Sequence, residues 1–537
     1  LKGAQSDQDL SIFILFYYLQ QDEMGAGASA GLNEKIAAVS NDDLRKELSS
    51  LPPEAVAKLK RALEPPAGWQ VETPPDGGVL VCAHPLSGNA IPVMMFGLLH
   101  MKDKYKFQMC DIMKGDQMSP DYLAMNPFHQ VPTAKMSDGT CMFEGCSILR
   151  YLAKKFAPDT YPPAKQLMID MCMDKRQTNL YKAWAPIGYY AMQIGGPPSA
   201  DAGQKLTSVL DVMAATFLKD KFVGGDKLCI ADYSLLSLIN TLSLATTQKI
   251  GYQLPERWAT YLKDAKAIIG DAWSAADVHE GWCASNESKV TKIEFDDSTK
   301  PLGTSDWKIE SPPEGGVLVC GTPGSGNVIG VWMCALKHMG EKFKFQECNI
   351  MKGEQLSPDF LAINPFHEVP SGKMSDGTGL FESTAMLRYL ACKFFPELYP
   401  EDKQLLIDMA MDKRQTDLYK AWGPVGYYAM QIGGAPGKDA KKNLDGVLAT
   451  MAEVFLKEKY IGGAKLCIAD YSILPLINTL SLSTSKKIGY TALPERWAKY
   501  LSDAKDDIGS VWETCCAQHN AWVISNEPKV ETIAFEA

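Results

Sequence analysis

The phrase Asn-Pro-Phe-His-Gln-Val-Pro occupies residues 126–132 and returns as Asn-Pro-Phe-His-Glu-Val-Pro at 364–370. His367 follows His129 by 238 residues, and within the phrase only Gln130 has become Glu368. The same spacing relates Trp69 to Trp307, Cys82 to Cys320, Asp174 to Asp412, Asp232 to Asp470 and Tyr252 to Tyr490. It slips by one residue only afterwards, where Gln253-Leu254-Pro255 faces Thr491-Ala492-Leu493-Pro494, an insertion that a surface loop tolerates. A unit this long far exceeds the roughly 20–45 residues of a stacked solenoid repeat, so the repeat implies two copies of a domain-sized fold. The 537 residues leave room for both, since a single core stops growing at about 250–300.

Within a unit the hydrophobic period changes midway. Gly78 to Cys82 reads as a buried strand, Asn89 to Met101 as a helix and Tyr105 to Cys110 as an alternating strand. Val131 to Met136 and Cys141 to Phe143 read as a strand pair joined by a tight turn at Asp138-Gly139, and Glu144 to Phe156 as a helix. From about Lys165 onward everything periodic is helical: Gln166 to Met173, Asp174 to Trp184, and the nearly all-apolar Ile230 to Leu242, which should be central. The fold class is therefore α/β plus all-α: two copies of a thioredoxin-like N-terminal domain followed by an all-helical C-terminal domain.

The expected boundaries are 72–160 and 163–285 for the two domains of the first copy, a polar, turn-rich linker at 286–309, 310–398 and 401–525 for the second copy, and a tail at 526–537. Residues 1–68 have no second copy. In this extension Ser40 to Leu48 and Pro53 to Leu63 carry helical periodicity, while Gly25 to Gly31 reads as flexible. Leu10 to Leu19 is apolar, at about half the ~20 residues a membrane span needs. It reads either as a core or partner-docking helix or as the remnant of a targeting or membrane-associated segment.

A formal charge of −10 and a pI near 5.4 leave no basic patch for nucleic acid. Fourteen cysteines form no CxxC pair, and several sit in apolar runs such as Val79-Leu-Val-Cys82, where cysteine acts as a small hydrophobe. This points to a reducing compartment rather than a disulfide framework. The seven histidines are scattered, so no metal site is expected.

Several motifs together resemble the cytosolic glutathione S-transferases, written twice in tandem and closest in character to serine-type, delta- or theta-like classes. They are Pro85-Leu-Ser87-Gly-Asn, Asn126 to Pro132, Asp138-Gly139, Glu144 to Ala153, Leu228-Cys-Ile-Ala-Asp232-Tyr and Leu254-Pro-Glu-Arg-Trp258. The resemblance implies that Ser87 and Ser325, each where a first strand meets the next helix, stabilise the thiolate of glutathione. A helix N-terminus favours an anion there. Lowering a thiol from ~8.5 by about two units needs roughly 2.7 kcal/mol, within reach of a charge-assisted bond plus a helix dipole. The plain alternative is an N-cap serine.

The resemblance also assigns glutathione binding to His129, Val131, Pro132, Glu144 and Gly145, and to His367, Val369, Pro370, Glu382 and Ser383. Cis Val-Pro peptides would present the valine backbone to a peptide-like ligand. The histidines would meet the glycyl end, or simply bond their own loop. An acidic residue followed by Ser holds the γ-glutamyl end, so Gly145 costs the first copy a hydroxyl that Ser383 supplies in the second, which makes the second copy the better candidate. Cys229 and Cys467 stand where the family usually has a Ser or Thr cap. Candidate walls for an electrophile pocket are Tyr181, Trp184, Tyr189 and Tyr190, with Tyr419, Trp422, Tyr427 and Tyr428; aromatics at such spacing also suit a core.

These readings imply a transferase joining the glutathione thiolate to a small electrophile, with glutathione as co-substrate, no metal and no nucleic acid, and the two units packed as an intramolecular pseudo-dimer. The alternative is a transferase-like scaffold or binding subunit of a larger assembly, docked to a protein or membrane complex through residues 1–68. A cytoplasmic location is expected, or an organelle after removal of a targeting segment.

Overall fold

The computed structural model describes residues 68–296, 298 and 303–536. The expectations for Leu10 to Leu19, Ser40 to Leu48 and Pro53 to Leu63 lie outside the described residues.

Two four-stranded sheets share one plan. The first contains β1 (Val79–Ala83), β2 (Tyr105–Met109), β3 (Thr133–Met136) and β4 (Cys141–Phe143), ordered β2-β1-β3-β4. The second contains β5 (Val317–Gly321), β6 (Phe343–Glu347), β7 (Ser371–Met374) and β8 (Gly379–Phe381), ordered β6-β5-β7-β8. We call the sheets, with the helices that follow each, the first and second halves. β1 runs parallel to β2 and antiparallel to β3, with Val79 opposite both Tyr105 and Met136. Both faces of β1 are covered, and all five of its residues are buried, as a continuous apolar run requires. The β3–β4 turn closes at Asp138-Gly139, where Gly139 has φ +91° and Asp138 Oδ1 accepts the Thr140 N–H at 2.9 Å. A left-handed residue there favours glycine.

The helical part of each half begins with one long run. Gln166–Lys175 passes through a π-helical turn at Arg176–Leu180 into Tyr181–Ala191, and Gln404–Lys413 passes through Arg414–Leu418 into Tyr419–Ala429. The sequence reading placed a break between Met173 and Asp174; the chain instead stays helical and absorbs one extra residue in the wide turn. Ile230–Ser243 is buried along all but its last residue. Its N-terminus is held by Asp232, which accepts the Cys229 N–H at 2.8 Å and the Val223 N–H at 3.0 Å.

Part of the expected linker belongs to the first half. Val290 is buried, Ile293 N–H donates to Ile250 O at 2.7 Å, and Asp296 N–H donates to Ala200 O at 2.8 Å. The expected tail does the same in the second half: Val530 is buried and Ile533 N–H donates to Ile488 O at 2.7 Å. Hydrophobic anchors at single positions escape a reading that scores a polar stretch as a whole.

The halves meet with the sheet part of each against the long helical run of the other. Beside each run, the helices Ala440–Phe455 and Ala202–Phe217 end in the contact: Phe455 lies 6.1 Å from both Phe128 and Phe143, and Phe217 lies 6.1 Å from Phe366 and 6.0 Å from Phe381. Between these clusters sits a buried charge network. Arg150 Nε donates to Asp170 at 2.8 Å and its Nη1 lies 3.4 Å from Asp412; Arg388 Nε donates to Asp408 at 2.7 Å and its Nη1 lies 3.6 Å from Asp174. Ser147 donates to Asp412 at 2.6 Å and Thr384 to Asp174 at 2.5 Å. Both arginines are almost fully buried, and each finds carboxylates in its own half and in the other, which a buried charge needs.

Candidate functional site

The repeated phrase forms a loop organised by its asparagine. Asn126 is buried; its Nδ2 donates to Gln130 O and to Thr133 Oγ1, both at 2.9 Å, and its Oδ1 accepts the Phe128 N–H at 3.1 Å. Asn364 repeats these bonds to Glu368 O (2.8 Å), Ser371 Oγ (2.9 Å) and the Phe366 N–H (3.0 Å). The side chain closes the turn in place of a backbone ladder. His129 and His367 sit at its crest with φ +46°, followed by cis Val131–Pro132 and cis Val369–Pro370. His129, Val131, Pro132, His367, Val369 and Pro370 all line one cavity of about 1680 Å³ that draws its walls from both halves.

Two helix N-termini point into this cavity beside the loops. Glu144 and Glu382 precede the helices Gly145–Phe156 and Ser383–Phe394 with φ +65° and +64°. That backbone region is sparsely populated for a residue with a side chain, and such strain is stored where the surroundings over-determine it. Glu144, Gly145, Glu382 and Ser383 line the cavity. A Cβ on Gly145 would stand 3.0 Å from Asn89 O, so a side chain there requires that carbonyl to give by a few tenths of an ångström.

The two candidate serines are placed differently. Ser325 is the N-cap residue of Gly326–Met339, and Ile329 N–H donates to its carbonyl at 3.0 Å. Its side chain makes no capping bond to that helix, and it lines the cavity. In the first half the helix is Ala90–His100 with Asn89 at the cap; Ala90 and Ile91 N–H groups both donate to Ser87 O, at 2.9 and 3.1 Å. This tighter turn leaves Ser87 upstream of the cap and outside the cavity wall. The sequence reading treated Ser87 and Ser325 as equivalent, and the geometry separates them.

Each acidic N-terminal residue is met by a lysine of the other half. Lys413 Nζ lies 2.7 Å from Glu144 and 2.6 Å from Asp417, bonds Gln130 Oε1, and sits 4.4 Å from the centre of the Phe128 ring. Lys175 Nζ lies 2.6 Å from Glu382, pairs with Glu368, and sits 4.5 Å from the Phe366 ring. Both lysine side chains are fully buried. Burial opposes the charge of Lys413, but the Glu144 and Asp417 carboxylates outweigh it and raise its pKa. Burial pushes the Glu144 carboxyl up to about 6 against the pull of Lys413. Neither lysine was singled out from the sequence. The available signal was the identical run Met-Asp-Lys-Arg-Gln-Thr at 173–178 and 411–416, which reads as an ordinary polar helix face until the other half is placed against it.

The expected aromatic wall divides. Tyr181, Tyr189, Tyr419 and Tyr427 line the cavity, with hydroxyls paired at 2.5 Å in the first half and 2.8 Å in the second. Trp184 and Trp422 do not line it: they are buried beneath, each Nε1 donating at 3.0 Å to Leu238 O or Leu476 O. Tyr190 and Tyr428 are core residues as well, tied to Thr291 and to the Glu531 N–H. A wall residue not foreseen is Arg414, whose Nη2 bonds Asn327 Oδ1 and which lies 4.9 Å from the Tyr419 ring.

Among the described residues, no group of His, Cys, Asp and Glu is placed to hold a metal ion, and no helix is long and apolar enough to cross a membrane. All fourteen cysteines are free thiols.

Residues 327–392 match the family model for the glutathione S-transferase N-terminal domain. Among solved structures, a delta-class glutathione transferase of Nilaparvata lugens is similar at 25% identity over 39% of this chain and 99% of its own, with a TM-score of 0.35. An epsilon-class glutathione S-transferase from the housefly, Musca domestica, is similar at 21% identity over 40% of this chain and 100% of its own, TM-score 0.35. The trimeric glutathione transferase TDR1 of Leishmania covers 84% of this chain and 99% of its own at 14% identity, TM-score 0.33.

Proposed function

We propose that the protein is a glutathione transferase, and more particularly a tandem one, whose two fused units stand as an intramolecular pseudo-dimer. In this reading the units divide at the boundaries given above, except that residues 286–296 join the first unit and 526–536 the second. The carrying observation is Ser325: a hydroxyl at a helix N-terminus, not spent on capping, on the wall of the cavity that also receives the Val369–Pro370 loop, Glu382 and Ser383. That donor set fits a small acidic peptide. Glutathione, when bound, supplies the thiolate that attacks the electrophile, its thiol proton having passed to solvent.

The chain's own residues then have these roles. Ser325 donates to the sulfur, and the helix N-terminus behind it favours the thiolate. The Val369 backbone holds the peptide in extended register, and His367 stands at the glycyl side. Ser383 and the N–H groups of its helix hold the γ-glutamyl carboxylate, beside a Glu382 already paired with Lys175. Tyr419 and Tyr427 bound the electrophile side. Charge placement and orientation carry the reaction, without acid–base relay. The first unit keeps the loop and the strained Glu144, but with Ser87 off the wall and Gly145 in place of serine it binds more weakly and turns over less.

The test is glutathione-affinity capture followed by conjugation of a generic aryl halide by the wild type, Ser87→Ala and Ser325→Ala. Capture with turnover lost in Ser325→Ala and kept in Ser87→Ala is the expected result. Loss of one hydrogen bond to a charged sulfur, about 1.5–3 kcal/mol, corresponds to a thiol pKa higher by about one to two units in Ser325→Ala. Absence of capture in the wild type overturns the proposal and leaves the scaffold reading.

A further inference from the structure

Gln130 and Glu368, the single difference inside the repeated phrase, are matched by an opposite difference on the other half. Lys413 is surrounded by two carboxylates and one amide: Glu144, Asp417 and Gln130, with Gln130 Nε2 donating to Asp417 Oδ1 at 3.0 Å. Lys175 is surrounded by two carboxylates and one amide as well: Glu382, Glu368 and Asn179, with Asn179 Nδ2 donating to Glu368 Oε1 at 2.9 Å. Asn179 and Asp417 occupy matching positions, 238 residues apart. The carboxylate sits on the helix at one site and on the loop at the other, and in both it faces an amide.

We propose that this exchange is a recognition code that directs each half to the unlike half rather than to a second copy of itself. The inference rests on the reading of the chain as two paired units. Pairing first half with first half would surround Lys175 with Glu144, Gln130 and Asn179, one carboxylate instead of two. Pairing second with second would surround Lys413 with Glu382, Glu368 and Asp417, and would press the Glu368 and Asp417 carboxylates together where an amide now donates. Attraction to the lysine sums equally over the two arrangements, since the number of carboxylates is unchanged. What differs is the direct contact between the Glu368 and Asp417 carboxylates, which exists only when second half meets second half and costs most where it is partly buried. For a fused chain, unlike pairing closes the molecule on itself, whereas like pairing leaves the remaining halves open to further chains.

The full chain can carry each alternative site as a variant. Gln130→Glu gives the Lys413 site the second-with-second composition, Asp417→Asn gives it the first-with-first composition, and the two together copy the Lys175 site. Thermal unfolding of the wild type, both single variants and the double variant forms a cycle whose coupling is the discrimination itself. The expected result is a fall of roughly 2 °C for each single variant, since one crowds a third carboxylate into the site and the other strips a carboxylate 2.6 Å from the buried ammonium, and a double variant that recovers most of both losses. Additive shifts, or an undiminished Gln130→Glu chain, overturn the code. Lys413→Met run alongside separates the two readings: if it is silent, the pairing of the halves is itself wrong, whereas if it is costly while the cycle is additive, only the code fails.

Discussion

Lys413→Met removes one charge from an enclosed ion cluster of the interface while keeping an unbranched apolar stem. In the wild type the ammonium is fully buried, 2.7 Å from Glu144 and 2.6 Å from Asp417. Without it both carboxylates remain in place, their side chains only 15% and 16% exposed. Removing one partner of a buried pair costs about 3–5 kcal/mol because the other charge is stranded. At about 1 °C per kcal/mol for a chain of 537 residues unfolding as one unit, the melting temperature at pH 8 should fall by roughly 3–5 °C. The loss should depend on pH with a definite sign. Burial already raises Glu144 to about 6 from an ordinary 4.5, and loss of the lysine raises it further. A carboxyl whose folded pKa is raised contributes stability that is complete below its unfolded value and is lost as pH climbs through the folded one. The variant should therefore stand closer to the wild type at pH 5, with Glu144 protonated, than at pH 8. Differential scanning calorimetry at both values checks this. A deficit of equal size at pH 5 and pH 8, or one below about 1 °C at pH 8, would refute the electrostatic account of the site.

Phe455→Ala should cost about 3–5 kcal/mol, the usual loss for an enclosed phenyl ring, because it empties the space between Phe128 and Phe143 of the other half. Urea unfolding measures it, and a loss under about 1 kcal/mol would mean that this contact carries no stability. Gly145→Ser should destabilise by about 1 kcal/mol, since its Cβ meets Asn89 O at 3.0 Å and the helix-start loop must give way. A gain in stability would show that the close approach of that loop is not what demands glycine.

Much of the fold could be read from local pattern. The all-apolar run Val79 to Cys82, the Asp138-Gly139 turn and the helix from Ile230 are each fixed by a single period or turn chemistry, and each falls within a residue or two of its expected bounds. The loop phrase was legible for a related reason: Asn126 bonds residues two to seven positions away. What stayed hidden depends on contacts between residues hundreds of positions apart. Lys413 bonds Gln130 across 283 positions and Ser147 bonds Asp412 across 265, and no period reports such a partner. Trp184 was misplaced for a subtler reason. Four aromatics in one helix cannot all face a cavity, and the one whose Nε1 meets a backbone carbonyl of the central helix goes inward. The π-helical turn at Arg176–Leu180 changes which side chains share a face, and propensity gives no sign of it.

The two halves repeat the apolar and arginine contacts by which they hold each other, and they part at the serine-bearing helix start. At the interface, Met171 mirrors Met409, Phe217 mirrors Phe455, and Arg150 mirrors Arg388, each with matching partners. Even the hydroxyl that donates to the central aspartate persists, supplied by Ser147 in one half and by Thr384, one place earlier in the repeat, in the other. Altering any of these groups strands a buried charge or empties a cavity, at a cost of several kcal/mol in a molecule whose whole stability is of order ten. Ser87 and Gly145 face no such penalty, since neither supplies a buried ion pair or an interlocking side chain. The requirement that both halves fold together therefore constrains the shared interface in both copies but leaves one cavity pole free to diverge. In the function proposed above, the pair keeps one well-formed site, at Ser325, while the other half supports it across the interface through Lys175, which bonds Glu382.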